Sequence, residues 1–276
     1  PDKTSGYRPG RMAFFYTLFP DDFTELRLPA DNRLSNTIFD YVTMRGVTKV
    51  TFTGGNGLCQ SYPFYNTSFP SLKTIVMESG TLAFSTSYGL PPLSAVEELI
   101  IQDDCTINSM NFTGTLSKLK SIQIGNRVTI PKNGFSSMNA GALETLTFGD
   151  NCVLKDNAFS SATFGKLKAF SFKGTASDGN QIFSSTKFPD LETFEIAAGS
   201  YMVIDVAAGP FSYAQFPKVT EFKVGDGAYI CSYAFQRATF NSLTSLTLNN
   251  TSSYNNSAFY ETKFPMLDSI TFLNDG

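Results

Sequence analysis

The chain has 276 residues, with 21 basic against 24 acidic side chains and neither histidine nor tryptophan. A net charge of −3 with no basic block argues against nucleic acid or an anionic membrane face, and no apolar run approaches the ~18 residues that span a bilayer. The missing histidine excludes His-based triads, imidazole general bases and His metal sites, while the 27 phenylalanines are a surplus that needs an explanation.

In chain order, one short pattern keeps returning: an apolar residue, two others, then two apolar residues separated by one. It reads FTELRL at Phe23, VTKVTF at Val47, LKTIVM at Leu72 and VEELII at Val96. It continues as LKSIQI at Leu119, LETLTF at Leu143, LKAFSF at Leu167 and LETFEI at Leu191. VTEFKV at Val219, LTSLTL at Leu243 and LDSITF at Leu267 complete eleven units, with intervals of 23 to 28 residues, mostly 24. Eight residues before each anchor stand Phe15, Phe39, Phe64, Tyr88, Phe135, Phe159, Phe183, Phe211, Phe235 and Phe259. The unit at Leu119 alone breaks this row, with Phe112 one place off. Three residues before the anchors stand Met44, Phe69, Leu93, Leu116, Phe164, Phe188, Phe216, Phe240 and Phe264, with Pro20 and Ala140 as exceptions.

A 24-residue unit cannot hide its own apolar face, so stacked coils must share a core. The fourth and sixth positions of each unit are two apart and face the same way from a strand. The expected domain is residues 13–276, eleven coils with one long parallel sheet of roughly 50 Å, preceded by residues 1–12 as a linker or cap. The aromatic rows fit the opposite wall as short helical or 3-10 turns, forming a phenylalanine spine. Proline follows phenylalanine five times, as in Phe69-Pro70, and leads out of the turn into the strand. Asp103, Asn126, Asp150, Asp226, Asn250 and Asn274 follow the strand, where Asx side chains bond to their own backbone.

The strand signature, the Ala/Pro/Gly-Phe pairs and the 23–24 period resemble the BspA-like, or Treponema-type, leucine-rich repeats over residues 13–276. The usual Leu-Pro after the strand survives at Leu28-Pro29 and, displaced, at Ile130-Pro131. The resemblance implies an α/β-type solenoid, a right-handed leucine-rich-repeat superhelix with its parallel sheet on the concave face and the turns on the convex face. It implies a non-enzymatic bacterial or protist module at the cell surface or secreted, which binds proteins, extracellular matrix or other cells and needs no cofactor. The chain begins at Pro1 and shows no signal sequence, which reads as a processed or trimmed piece.

The outward strand positions define the candidate contact face: Arg27, Lys49, Thr51, Val76, Ile100, Gln123, Thr147, Glu195, Glu221 and Lys223. Val76 and Ile100 form its apolar spot, and Glu195, Glu221 and Lys223 its charged cluster. Hot spots favour Trp, Tyr and Arg, and this face is mostly hydroxyl. The alternative reading is a carbohydrate-binding or carbohydrate-active β-solenoid, in which Asp21-Asp22, Glu97-Glu98 and Asp103-Asp104 offer acid pairs. Neighbouring residues on a strand point apart, so solvated charge is the plainer account. The Asx series admits a calcium ladder beside simple turn capping. Cys59, Cys105, Cys152 and Cys231 fall in non-adjacent coils, ~10 Å apart and beyond the ~7 Å that a disulfide spans, which predicts four free thiols, mostly buried. Sequons at Asn66, Asn111, Asn249, Asn250 and Asn255 are compatible with chance. The long interval, Ala197 to Pro210, holds four extra residues, with Tyr201-Met202 as an exposed contact or as a tolerated loop. The final strand at 270–273 has no capping sequence, and an open edge invites self-association.

Overall fold

The computed structural model describes residues 13–29, 38–54, 63–78, 80–83, 91–108, 112–173, 175–178, 180–202, 209–249 and 252–273. Residues 1–12, Tyr88, Cys59, Asn111, Asn250 and Asn274 lie outside them. The described chain is a parallel β-solenoid. Each of the eleven anchors opens a strand, and the strands pair in parallel, in register, with their neighbours in the stack except between Thr145–Phe148 and Ala169–Phe172.

The expected single sheet is two ladders. One runs from Glu25–Pro29 through Lys49–Thr53, Thr74–Met77, Glu98–Ile101 and Ser121–Ile124 to Thr145–Phe148. The other runs from Ala169–Phe172 through Thr193–Ile196, Glu221–Val224 and Ser245–Asn249 to Ser269–Leu273. The break coincides with a change of filling, because Phe148 and Phe170 meet across it with ring centroids 6.2 Å apart. A second face carries an eight-stranded ladder, from Gly80–Ala83 to Ser253–Tyr254. A third, short ladder joins Gly114–Thr115, Met138–Ala140 and Thr163–Phe164, and continues through Lys187 to Gln215–Phe216 and Thr239–Phe240. The sequence reading foresaw neither of these two ladders.

The helical turns are also corrected: among the described residues none is helical. The turn around each spine phenylalanine is a run of overlapping β-turns. Around Phe159, the N–H groups of Ala158, Ser160 and Ala162 donate to the carbonyls three residues back. Those of Asn157, Phe159 and Ser161 donate instead to the next coil, at Asn180, Ile182 and Ser184. Asn157 and Ser161 are left-handed, with φ of 54° and 58°, and such residues cannot sit in a right-handed helix. Asn133, Ser137, Gln181, Ser185, Arg237 and Ser257 repeat this geometry.

The spine itself is present. Successive rings stack nearly parallel at 4.7 Å for Phe112–Phe135, 4.8 Å for Phe135–Phe159, 5.0 Å for Phe159–Phe183 and 5.0 Å for Phe183–Phe211. Phe211–Phe235 and Phe235–Phe259 follow at 5.2 Å each. Phe112 keeps its place in the stack despite its one-residue offset. In the first coil the spine residue is Phe14, not Phe15: it stacks on Phe39 at 5.3 Å, although both rings stay exposed at this end of the stack. Burying each ring contributes ~1.5–3 kcal/mol, and stacking adds ~0.5–1.5 kcal/mol per pair.

Candidate functional site

Positions around the strands and turns are set by hydrogen bonds from one coil to the next. Asp103 accepts from the Asn126 backbone N–H at 2.8 Å and from its side-chain amide at 2.9 Å. Asn126 Oδ1 then accepts from the N–H of Asp150 at 2.8 Å. The Asx side chains therefore cap the following coil, not their own turn. These oxygens are already engaged, which favours capping over a calcium ladder, and among the described residues no cluster of three or more acidic or Cys side chains could hold a metal. Threonines do similar work behind the spine: Thr67, Thr186 and Thr262 donate to the carbonyls of Phe39, Phe159 and Phe235 at 2.9, 2.8 and 2.7 Å.

The described cysteines, Cys105, Cys152 and Cys231, are unpaired and buried. Burial pushes the Cys105 and Cys231 thiols up to about 12, so they stay protonated. Cys152 Sγ donates to the Gly125 carbonyl at 3.0 Å, the place where Ser252 Oγ donates to Gly225 at 2.8 Å; the thiol substitutes for a hydroxyl.

Two of the three acid pairs, Glu97-Glu98 and Asp103-Asp104, are committed to partners. Asp104 takes both oxygens to Arg127, at 2.6 and 2.7 Å, and Glu97 meets Lys120 at 2.6 Å. Glu98 accepts from Thr74 at 3.2 Å. The Lys120 hydrogen bond holds the Glu97 carboxyl below its usual range, and hydrogen bonds from Asn126 and Arg127 lower Asp103 and Asp104. A general acid at neutral pH needs its carboxyl raised, so Glu97, Asp103 and Asp104 are tuned the other way. Lys73, Glu97, Lys120, Glu144, Lys168 and Glu192 occupy one position in six successive coils and alternate in sign. Lys168 meets Glu192 at 2.7 Å, so this column helps set coil-to-coil register.

On the predicted contact face, Arg27, Gln123, Thr147, Glu221 and Lys223 are exposed, and Lys49, Ile100 and Glu195 are half-buried. Two predicted contacts are not surface. Thr51 is 1% exposed and Val76 5%. Thr51 Oγ1 donates to Glu25 at 2.8 Å, and Arg27 reaches past that strand to Glu78 at 2.5 Å, so charged side chains close over it. Val76 lies between Thr51 and Ile100 in the ladder, and the supposed apolar spot reduces to Ile100. Ile100, Gln123 and Thr147 line an open trough of about 630 Å³ beside Asp103 and Asp104. Glu195, Glu221 and Lys223 come together in a smaller one of about 350 Å³, where Lys223 bonds Glu221 at 2.6 Å. In the long interval Tyr201 is exposed but Met202 is buried, which corrects the paired contact; residues 203–208 lie outside the described chain.

Most of the exposed aromatics among the described residues lie on the turn edge, which the sequence reading missed. Phe15, Tyr16 and Tyr41 form one group at one end of the stack, and Tyr65 is exposed one coil further on. Tyr16 and Tyr41 stack at 5.3 Å, and Phe15 stands edge-on to both, at 4.4 and 5.8 Å. Tyr213 and Tyr260 form a second group, joined by Arg237, which lies 5.7 Å from the Tyr213 ring, donates to its hydroxyl at 2.8 Å and meets Glu261 at 2.5 Å. A signal existed: tyrosine recurs one or two places after the spine ring, in FFY, FDY, FY and FSY.

Comparison with protein-family models, with curated proteins and with solved structures finds no match for this chain.

Proposed function

We propose that this solenoid is a non-enzymatic interaction module of the leucine-rich-repeat kind, which holds a protein partner at a cell surface or in the extracellular space. The carrying observation is the concentration of exposed tyrosine and arginine on the turn edge, at Tyr16, Tyr41, Tyr65, Tyr213, Arg237 and Tyr260. These are the side-chain types that anchor interfaces, and they are mounted on a stack whose rings and backbone are locked coil to coil. The partner class we favour is extracellular matrix protein or another cell. The strand face contributes through Arg27, Gln123, Thr147, Glu221 and Lys223.

The test is binding of the folded chain to immobilised matrix proteins and to intact cells. Replacing Tyr16, Tyr41 and Tyr65 together, or Tyr213, Arg237 and Tyr260 together, by Ala is expected to abolish capture and leave circular dichroism unchanged. If both triple variants bind like the parent, the turn edge is not the site. Carbohydrate binding is the second reading. Tyr201 and Tyr229 lie one coil apart with centroids at 4.9 Å and present rings on which sugars can stack. A glycan array that is blank for the parent chain removes it.

A further inference from the structure

Asp40 is the residue of the turn edge that the fold leaves unexplained. It directly follows the spine ring Phe39 and is only 4% exposed. Its Oδ1 is buried without any hydrogen-bond donor. Ser160, Ser184 and Ser212 hold the same place after Phe159, Phe183 and Phe211. There the hydroxyl hydrogen is what the site uses: Ser160 Oγ donates to the Ser184 carbonyl at 3.2 Å, and Ser212 Oγ to the Gly209 carbonyl at 2.9 Å. The fold thus offers carbonyl acceptors at this position. The Asp40 carboxylate put there leaves its Oδ1 without a donor, and buried acceptors left unpaired draw in positive charge.

The surroundings are built for one kind of cation. The Phe14–Phe39–Phe64 stack sets the register, so Phe15 and Tyr65 occupy the Asp40 position in the coils on either side. Tyr41 follows Asp40, with Tyr16 stacked on it. Phe15 is perpendicular to Tyr41, at 88°, and steeply inclined to Tyr16, at 68°. Walls at right angles suit a rounded cation better than a flat guanidinium, and ring faces attract cations directly.

We propose that Phe15, Tyr16, Tyr41 and Tyr65 form an aromatic site for a methylated ammonium group, with Asp40 supplying the negative charge beneath it. This rests on the turn-edge reading above and names the chemistry that one of its two patches accepts. The group is a quaternary or trimethylated ammonium, as on a methylated lysine side chain of a partner protein.

The test is calorimetric titration of the full chain with choline chloride, with 3,3-dimethyl-1-butanol as the uncharged isostere and sodium chloride at matched ionic strength. A trimethyllysine peptide and phosphocholine vesicles form separate arms. Choline and the peptide are expected to bind, and the neutral isostere to bind roughly tenfold or more weakly. Asp40→Ser installs the hydroxyl found at Ser160, Ser184 and Ser212, so it should fold at least as well as the parent and still lose binding by about tenfold or more. Tyr41→Ala should lose it likewise, and Met266→Ala, at an exposed residue elsewhere, should not. No choline binding, equal binding of the isostere, or undiminished binding by Asp40→Ser overturns the proposal. Binding to the vesicles but not to the peptide overturns the protein-borne source. Cell capture that persists without choline binding sinks this inference alone, whereas choline binding without any capture sinks the interaction function and leaves the site.

Discussion

Two stretches of the stack solve the same packing problem with different side chains. In the coils anchored at Val96, Leu119 and Leu143, the inner positions hold Leu93, Leu116 and Ala140 beside Leu99, Ile122 and Leu146. In the next three coils they hold Phe164, Phe188 and Phe216 beside Phe170, Phe194 and Phe222. The aromatic stretch is cross-linked by ring contacts: Phe194 lies 5.0 Å from Phe216, 5.0 Å from Phe222 and 5.2 Å from Phe211. The aliphatic stretch instead leaves a wholly apolar void of about 10 Å³ between Leu93, Leu99, Phe112 and Leu116. Backbone geometry fixes the space per coil, so rings fill it and shorter chains do not quite.

The largest effect should separate these stretches. Phe194→Ala is expected to cost ~3–5 kcal/mol and Ile122→Ala ~2–5 kcal/mol, with the larger loss at Phe194, read from urea melts of each variant. Equal losses would mean that ring-to-ring contacts add nothing beyond buried area. A milder exchange tests the same point. Phe188→Leu gives up stacking on Phe216 at 5.1 Å and on Phe170 at 5.7 Å, an expected loss of ~1–2 kcal/mol. Leu116→Phe, set beside the void, should stay within ~1 kcal/mol of the parent. A loss for Leu116→Phe matching that for Phe188→Leu would show that the void cannot admit a ring.

This contrast was half legible in the sequence. The strands and the spine could be read because apolar residues at fixed spacing must be buried together, and Phe112 kept its role although displaced. Phe15 was misplaced for Phe14 because an anchor counts residues along the chain, whereas the ring must meet Phe39 in space. The helical turns were a wrong inference of another kind. Two rings five residues apart fit a helical turn or consecutive β-turns equally well, and the deciding left-handed residues are Asn157 and Ser161, not glycines. Thr51 and Val76 alternate correctly yet are buried, because long side chains such as Arg27 fold over them, and periodicity does not report that. The Asx residues were recognised as caps, but which coil they cap depends on stacking.

Acid should bring out the polar side of the design. Hydrogen bonds from Asn126 hold Asp103 below its ordinary pKa, and those from Arg127 do the same for Asp104. A depressed folded-state value adds stability above the unfolded pKa, ~3.9 for Asp, and that contribution disappears as pH falls through the lower folded value. Midpoints of thermal unfolding should therefore fall below pH ~4. Asp103→Asn should reduce that slope slightly, and added salt should blunt the difference because these groups are exposed. An unchanged slope in Asp103→Asn would show that the Asx column does not couple folding to protons.

The smallest effect should come from the same residue type at the same position. Phe172 and Phe272 both end the inner row of a strand, yet Phe172 is 0% exposed and Phe272 is 63% exposed. Neighbouring coils make the difference: Phe172 is met by Phe183 and Phe211, with centroids at 6.2 and 5.9 Å, whereas Phe272, Ile270 and Leu273 are exposed at the last strand of their ladder. Removing a ring that is already in water changes little, so Phe272→Ala is expected within ~0.5 kcal/mol of the parent, against ~3–5 kcal/mol for Phe172→Ala. Concentration sharpens the result. If the exposed edge pairs with a second copy, as open strands do, melting of the parent will depend on protein concentration and that of Phe272→Ala will not. A large loss in dilute Phe272→Ala would mean that this ring is packed after all.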